Sequence, residues 1–181
     1  MSEFTIQEAQ ADMRRSYLSG APGVFVSGLV WLVAAIVAAL HSESAAVLAL
    51  LFGGAAIHPL AVAMIRLLGG TGKHSAGNAL GGLAAEGTFW LVAGCAIAYA
   101  IHVLRIEWFF PAMLLIIGGR YLTFQTLYGL RGYWVCGGLL CIAGLALALA
   151  RAPAVVGAFT GACIELGFAT VLFMQAKRAA V

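Results

Sequence analysis

Long apolar runs separated by short polar stretches organise most of the chain. Six such runs occupy residues 21–40, 45–68, 79–104, 109–128, 133–150 and 154–176. A helix needs about 20 residues to cross the hydrocarbon core of a bilayer, and each run is close to that length. A membrane-spanning barrel would instead show alternating segments of about 10 residues. The pattern therefore predicts an all-α fold, a polytopic bundle of six transmembrane helices that forms one domain over residues 19–181.

The first 18 residues are more polar than the rest of the chain. We expect residues 1–18 to form a short cytoplasmic amphipathic helix against the membrane surface. Its expected apolar contacts are Ile6, Met13, Tyr17 and Leu18. Arg14 and Arg15 precede the first apolar run, as in a secretory signal, but a signal core spans only about 7 to 15 residues. We therefore expect the first transmembrane helix to remain uncleaved.

Composition agrees with a membrane protein and narrows the chemistry. Hydrophobic residues make up 63% of the chain and charged residues 9%, whereas about 25% of a soluble domain is charged. The net charge of +3 comes from basic residues scattered at helix ends, which does not indicate nucleic-acid binding. The four cysteines lie in apolar runs without a C-x-x-C pair, so we expect neither a zinc site nor any other cofactor.

The distribution of Lys and Arg predicts the orientation. Cytoplasmic loops of membrane proteins carry an excess of these residues. With the N-terminus inside, seven of them lie on the inner side and two, Arg105 and Arg151, on the outer side. The seven are Arg14, Arg15, Arg66, Lys73, Arg131, Lys177 and Arg178. The sequence therefore predicts that both termini are cytoplasmic.

Four ionisable residues fall inside the apolar runs and are the candidate site residues: His58, Glu86, Arg120 and Glu165. A charged side chain at the centre of a bilayer costs roughly 2.5 to 3.5 kcal/mol on insertion scales. We therefore expect these groups to face the bundle interior, with Arg120 in ion-pair reach of Glu86 or Glu165. A rise of about 1.5 Å per residue places all four in one layer, slightly to the cytoplasmic side of centre. They would line a solute or ion pathway, or only fix the helices in register.

Glycines accompany both acids at helical spacing. Gly82 precedes Glu86 by four residues, as Gly161 precedes Glu165, so small residues share a face with each acid. The shared Gly-x-x-x-Glu-x-x-Phe pattern lies on the third helix of each half of the chain. It would suit an inverted three-plus-three repeat, as in many transporters. Chance similarity in Gly-rich apolar sequence is the alternative.

Two backbone features fall in the same layer. Pro59 lacks an N–H and should kink its helix, and Gly118 and Gly119 should weaken the helix that bears Arg120. Such features either line a cavity or allow tight packing. The loop 69–75 resembles a phosphate-binding P-loop, but residue 67 is Leu where the motif needs Gly, and Lys73 precedes His. We expect a flexible cytoplasmic loop there.

Several short segments together resemble a family of small bacterial inner-membrane proteins that is known as a domain of unknown function. The matching segments are Gly20-Ala21-Pro22-Gly23, Ser27-Gly28, Trp31, His58-Pro59, Glu86-Gly87, Phe109-Phe110-Pro111 and Gly118-Gly119-Arg120-Tyr121. The resemblance covers most of residues 14–150. It implies a bacterial inner-membrane protein of this size and helix count, and it implies no activity or ligand.

Two classes of function fit these observations. One is a small transporter or solute-binding membrane subunit that handles a small solute or a proton in the charged layer. The other is a structural or assembly subunit, a homo-oligomer included, in which the same charges fix helix register. An enzyme ranks third, because the histidines at 41, 58, 74 and 102 are scattered and no nucleophile–base pair is visible. The short loops favour transport, since they leave any chemistry to the bilayer.

Overall fold

The computed structural model describes residues 5–179, with side chains for residues 5–176, and the long elements in this part of the chain are all helices. A short first helix is followed by six long ones. The helices are α1 (Ile6–Tyr17), α2 (Ala21–Leu40), α3 (Glu43–Leu67), α4 (Leu80–Leu104), α5 (Phe109–Tyr128), α6 (Gly132–Leu149) and α7 (Ala154–Ala179). Each predicted apolar run coincides with one of the six long helices, which confirms the all-α fold.

The long helices are those of a membrane protein. Five segments are long and apolar enough to cross a membrane: Ile6–Leu40, Glu43–Leu67, Leu80–Leu104, Gly132–Leu149 and Ala154–Ala176. The sixth long helix, α5, is not among them. It carries Arg120, and ten of its twenty residues are buried, more than in any other helix over residues 5–176. The apolar outer faces of the other helices provide the surface that contacts lipid.

The long helices form two groups. In the first group, α2 packs between α3 and α7, and in the second, α5 packs against α4 and α6. The groups meet through smaller contacts of α7 with α5 and α6. The last helix of each half of the chain thus packs on the first helix of the other half. An inverted repeat would produce such reciprocal packing, but the α2–α7 contact is more extensive than the α4–α5 contact, and the three-plus-three repeat stays a prediction.

Glycines allow α5 and α6 to approach closely. A Cβ atom on Gly118 would lie 2.8 Å from the carbonyl oxygen of Gly137, and one on Gly137 would lie 2.6 Å from the carbonyl oxygen of Gly118. Gly118 therefore serves helix packing, and α5 continues unbroken past Arg120. Of the two interpretations offered by the sequence, tight packing is the one that Gly118 fits. The helix α3 also continues through Pro59 without interruption, and a kink there stays a prediction.

One face of α1 packs against the rest of the protein, and the other face is exposed. Thr5 and Glu8 form a capping box at its N-terminus, which satisfies two otherwise free backbone donors. Its buried residues include Asp12, Met13 and Ser16. Met13 was expected to contact the membrane surface, but it packs inside the protein instead. Arg14 Nη1 donates to the carbonyl of Tyr128 at 2.5 Å, which ties α1 to the end of α5. Ile6 remains exposed.

The segment that joins α3 to α4, residues 68–79, is tied to α1. The Gly72 N–H donates to the carbonyl of Ser16 at 2.9 Å. Ser75 donates to the Asp12 carboxylate through its N–H and its hydroxyl, both at 3.0 Å, and Asn78 Nδ2 donates to it at 2.8 Å. The segment was expected to be a flexible loop, but these hydrogen bonds give it a defined conformation.

Candidate functional site

Glu165 is the candidate site residue that the fold buries completely. It lies on α7, about 17 Å from the start of that helix at 1.5 Å per residue, and its side chain is 0% exposed. Among the described residues, neither of its carboxyl oxygens has a hydrogen-bond partner of acceptable geometry. Buried polar groups in proteins are nearly always hydrogen-bonded, so an unpaired carboxyl at this depth requires an explanation.

Polar side chains from two other helices surround this carboxyl. The hydroxyls of Ser27 on α2 and Tyr121 on α5 lie near it, although neither makes a hydrogen bond of acceptable geometry with it. Ser27 and Tyr121 are themselves buried. Trp31 is one turn beyond Ser27 on α2, and its Nε1–H is a second buried group without a partner. Glu165, Ser27 and Tyr121 form what we call the Glu165 site, and Trp31 packs beside it against Gly161.

Close packing of α7 on α2 creates the site. A Cβ atom on Gly161 would lie 2.6 Å from two ring atoms of Trp31, so only glycine admits the indole at this position. A Cβ atom on Gly28 would lie 2.8 Å from Leu166. Gly161 precedes Glu165 by one turn, which confirms the prediction that small residues mark an interior face of α7. The glycines bring the two helices together, and their approach seals the carboxyl from lipid.

Arg120 is part-buried, but its predicted ion pair is absent. Its Nη2 donates to Thr88 Oγ1 at 3.1 Å, and its Nη1 donates to the carbonyl of Gly87 at 3.3 Å. Its guanidinium also lies 5.4 Å from the ring centroid of Phe124, a cation–π distance. Among side chains of residues 5–176 the one ion pair joins Arg105 and Glu107. The expectation that Arg120 pairs with a buried carboxylate is therefore wrong.

Glu86 and His58 do not join Glu165 in a common interior layer. Both side chains are exposed, Glu86 on α4 and His58 on α3. A Cβ atom on Gly82 would touch no neighbour within 4 Å, so the glycine that precedes Glu86 does not mark a packed face. Of the four predicted residues, the fold therefore encloses only Glu165 completely and part-buries Arg120. Their role as a solute or ion pathway stays a prediction.

The sequence analysis singled out neither Tyr121 nor Trp31 as a candidate site residue. Trp31 does pack, with its ring 6.0 Å from that of Phe110, yet its indole N–H is left unpaired. The spacing of Ser27 and Trp31, four residues apart, was the available signal, because it places a hydroxyl and an indole on one face of α2. Tyr121 gave no such signal, because the sequence does not show which side of α5 faces α2 and α7.

Two cavities lie elsewhere on the molecule. An apolar groove of about 520 Å³ runs between α2 and α3, from Val33 and Ala49 to Phe25 and Met64. A polar pocket of about 460 Å³ lies between α1 and the segment that joins α3 to α4. Neither is lined by any of the four predicted site residues. Among the described residues, no cluster of three or more His, Cys, Asp or Glu side chains could hold a metal ion.

Comparison with known proteins places the chain in one family. A family model described as a family of unknown function, DUF7010, matches residues 6–175, which is nearly the entire chain. No curated protein matches, and no solved structure matches. The family match agrees with the resemblance found in the sequence.

Proposed function

The chain belongs to this family of unknown function, and from that premise we propose that it is a small membrane transport protein whose Glu165 binds and releases a proton. The observation that carries the proposal is the complete burial of the Glu165 carboxyl, with no hydrogen bond of acceptable geometry to any described residue. A carboxyl group kept solely for structure would be expected to have its partners in place. Proton uptake and release give such a group a reason to remain unpaired.

Solvation explains how this carboxyl would work. Burying an ionised carboxylate without a partner costs several kcal/mol, so the closed arrangement favours the neutral acid. The hydroxyls of Ser27 and Tyr121 are both donors. They would stabilise the anion once the proton leaves and water reaches the site. Such a group alternates between two protonation states as its surroundings open and close, as a proton carrier must.

The two helix groups suggest how the site would open. Glu165 and Ser27 belong to the first group and Tyr121 to the second, and the contacts between the groups are smaller than those within each group. Rocking of one group against the other would expose the carboxyl alternately to the two sides, as in transporters built from repeats. A small solute could share the opened site. We place the protein in a bacterial inner membrane, with residues 1–18 and both termini cytoplasmic.

Proton flux into liposomes tests this proposal directly. The purified chain is reconstituted into vesicles loaded with a pH-sensitive dye, and a potassium diffusion potential drives protons. We expect flux above that of protein-free vesicles, its loss in Glu165→Gln, and its retention in Glu86→Gln. Glu86→Gln is a matched control, because it makes the same chemical change on an exposed side chain. Infrared spectra should also lose a protonated-carboxyl band in Glu165→Gln alone.

The structural alternative predicts a different result. If Glu165 only fixes helix register, Gln fills the same volume and the variant should behave like the wild type. A wild-type chain without proton flux, or a folded Glu165→Gln variant with unchanged flux and unchanged infrared spectrum, would remove the basis for transport.

An assembly subunit is the second candidate, and the surface of α4 favours it. Glu86, Phe89 and Trp90 are exposed side by side on this helix, and only three α4 residues are buried. Contact of a carboxylate with hydrocarbon is unfavourable, and a second protein would relieve it. In a background without the native cysteines, Trp90→Cys should then cross-link between copies. Ile142→Cys on α6, equally exposed, should not.

A further inference from the structure

The polar pocket between α1 and the segment 68–79 is a built feature of the cytoplasmic end in the orientation proposed above. Its volume is about 460 Å³. Its lining residues are Asp12, Arg15, Ser16, Gly69, Gly70, Thr71, Lys73 and Ser75. The loop 69–75, which does not match the P-loop motif, therefore forms one wall of a cavity, and α1 forms the opposite wall.

Hydrogen bonds fix the shape of this pocket. Gly72 bonds to the carbonyl of Ser16, and Ser75 bonds to Asp12. The Tyr17 hydroxyl and His74 Nδ1 lie 2.9 Å apart and add a third link between the walls. Gly69 and Gly72 have φ angles of +85° and +64°, a conformation that side chains rarely adopt. The loop is thus held in one conformation before any ligand binds.

Two cations in the pocket are available to a ligand. The side chains of Arg15 and Lys73 are exposed and make no hydrogen bond or ion pair with the described residues. The one carboxylate of the pocket, Asp12, accepts hydrogen bonds from Ser75 and Asn78 and also feels the charge of Arg15. Near the end of α3, the N–H groups of Leu68, Gly69 and Gly70 satisfy carbonyls of the last turn. Two cations against one carboxylate leave the pocket with a net positive charge, as for a phosphate ligand, which Arg and Lys both bind.

The surroundings of the pocket indicate that a lipid supplies this phosphate. Leu67 and Leu68 come immediately before Gly69 and are exposed, Leu67 at 87%. Exposed leucines at the end of a spanning helix belong in the acyl region, so the pocket that follows them lies at the level of lipid headgroups. The apolar groove between α2 and α3 extends to Met64, which is five residues before Gly69. An acyl chain fits a groove of this kind.

We infer that this pocket binds the phosphate group of an anionic phospholipid through Arg15 and Lys73, with an acyl chain along the α2–α3 groove. The inference does not depend on proton transport by Glu165. Bound lipid would join α1 to α3, and so stabilise the cytoplasmic end of the first helix group.

Lipid binding to the purified, delipidated full chain tests the inference. Native mass spectrometry would measure the binding of added phosphatidylglycerol and, separately, of zwitterionic phosphatidylcholine. We expect preference for phosphatidylglycerol, and about a 25-fold loss of its affinity in Arg15→Gln/Lys73→Gln, since each basic group near a membrane contributes about a factor of five. Arg131→Gln/Arg151→Gln removes the same charge from exposed sites and should change affinity less than about twofold.

A charge-conserving variant and a soluble competitor complete the experiment. Arg15→Lys/Lys73→Arg keeps both charges and should retain most of the binding, and circular dichroism would verify that each variant is folded. Equal binding of the two lipids, or unchanged phosphatidylglycerol binding in the neutral double variant, would overturn the inference. Inorganic phosphate that displaces phosphatidylglycerol fully at millimolar concentration would overturn the lipid assignment in favour of a soluble phosphate ligand.

Discussion

At the scale of single residues, two glutamates in apolar helices have opposite environments. Glu165 is enclosed because Gly161 and Gly28 bring α2 and α7 together around it. Glu86 is exposed because α4 is packed through Gly94 and Ala98, which lie further along that helix. The free-energy cost of placing a glutamate in an apolar helix must therefore be offset in a different way at each position. Glu165 must be stabilised by the protein interior, whereas Glu86 needs a partner from outside this chain or access to polar headgroups.

The first residue-scale prediction concerns Gly161. Gly161→Ala should destabilise the protein by about 1 to 3 kcal/mol, because the added methyl group would overlap an indole ring that is enclosed on every side. Thermal unfolding in detergent would measure the loss. Gly167→Ala is the control on the same helix, since a Cβ atom there meets nothing within 4 Å. Equal melting temperatures for the two variants would show that α2 and α7 do not pack as closely as described.

The same residues show what the sequence could and could not reveal. The cost of burying a charge correctly predicted that Arg120 would acquire partners. It did not identify them, because a backbone carbonyl and a threonine hydroxyl satisfy a guanidinium as a carboxylate does. The spacing of Gly161 and Glu165 predicted a packed face, and the same spacing in Gly82 and Glu86 did not produce one. Spacing defines a face of a helix, but only the neighbouring helices decide whether that face is covered.

At the scale of elements, α1 connects two other parts of the chain at one end of the bundle. It bonds to the end of α5 through Arg14 and to the segment between α3 and α4 through Asp12. Its sequence predicted a helix, because polar and apolar positions alternate with helical period. Its attachment could not be predicted, since it depends on Asp12 meeting Ser75 and Asn78, which are more than sixty residues away in the chain.

The element-scale prediction is that acid releases α1. Burial disfavours the charged form of Asp12, but hydrogen bonds from Asn78 and Ser75 outweigh burial and hold the pKa of its carboxyl below the usual value. A lowered folded-state pKa contributes stability above the unfolded pKa, and that stability is lost as pH falls through the folded value. Protection of α1 amides from hydrogen exchange should therefore be full at neutral pH and fall below about pH 4.

Variants identify Asp12 as the group responsible. Asp12→Asn should lower the protection of α1 about tenfold at neutral pH, because a hydrogen bond to a charged group is worth about 1.5 to 3 kcal/mol. It should also abolish the acid-induced change. Gln7→Ala alters an exposed residue of the same helix and should leave both properties as in the wild type. Acid release that persists in Asp12→Asn would assign the effect to another group.

At the scale of the whole molecule, α5 determines how many times the chain crosses the membrane. It is less apolar than its neighbours and carries Arg120, yet it lies between α4 and α6 with half of its residues buried. A helix shielded from lipid by other helices need not be apolar on every face. At about 1.5 Å per residue its 20 residues extend about 30 Å, enough to cross the hydrocarbon core.

The last prediction follows from this position of α5. If α5 spans the membrane, the chain crosses six times and its two ends lie on the same side, whereas five crossings would put them on opposite sides. The excess of Lys and Arg on the inner side predicts that this shared side is the cytoplasm. Reporter fusions at both termini and after Glu107 would measure it. We expect cytoplasmic reporters at both ends and an external reporter after Glu107. Arg151→Ala should leave this pattern unchanged, because it removes a basic residue from the outer side and so increases the excess of Lys and Arg on the inner side. A C-terminal reporter opposite to the N-terminal one would mean that α5 does not cross, and the Glu165 site would then lie in a bundle of five spans.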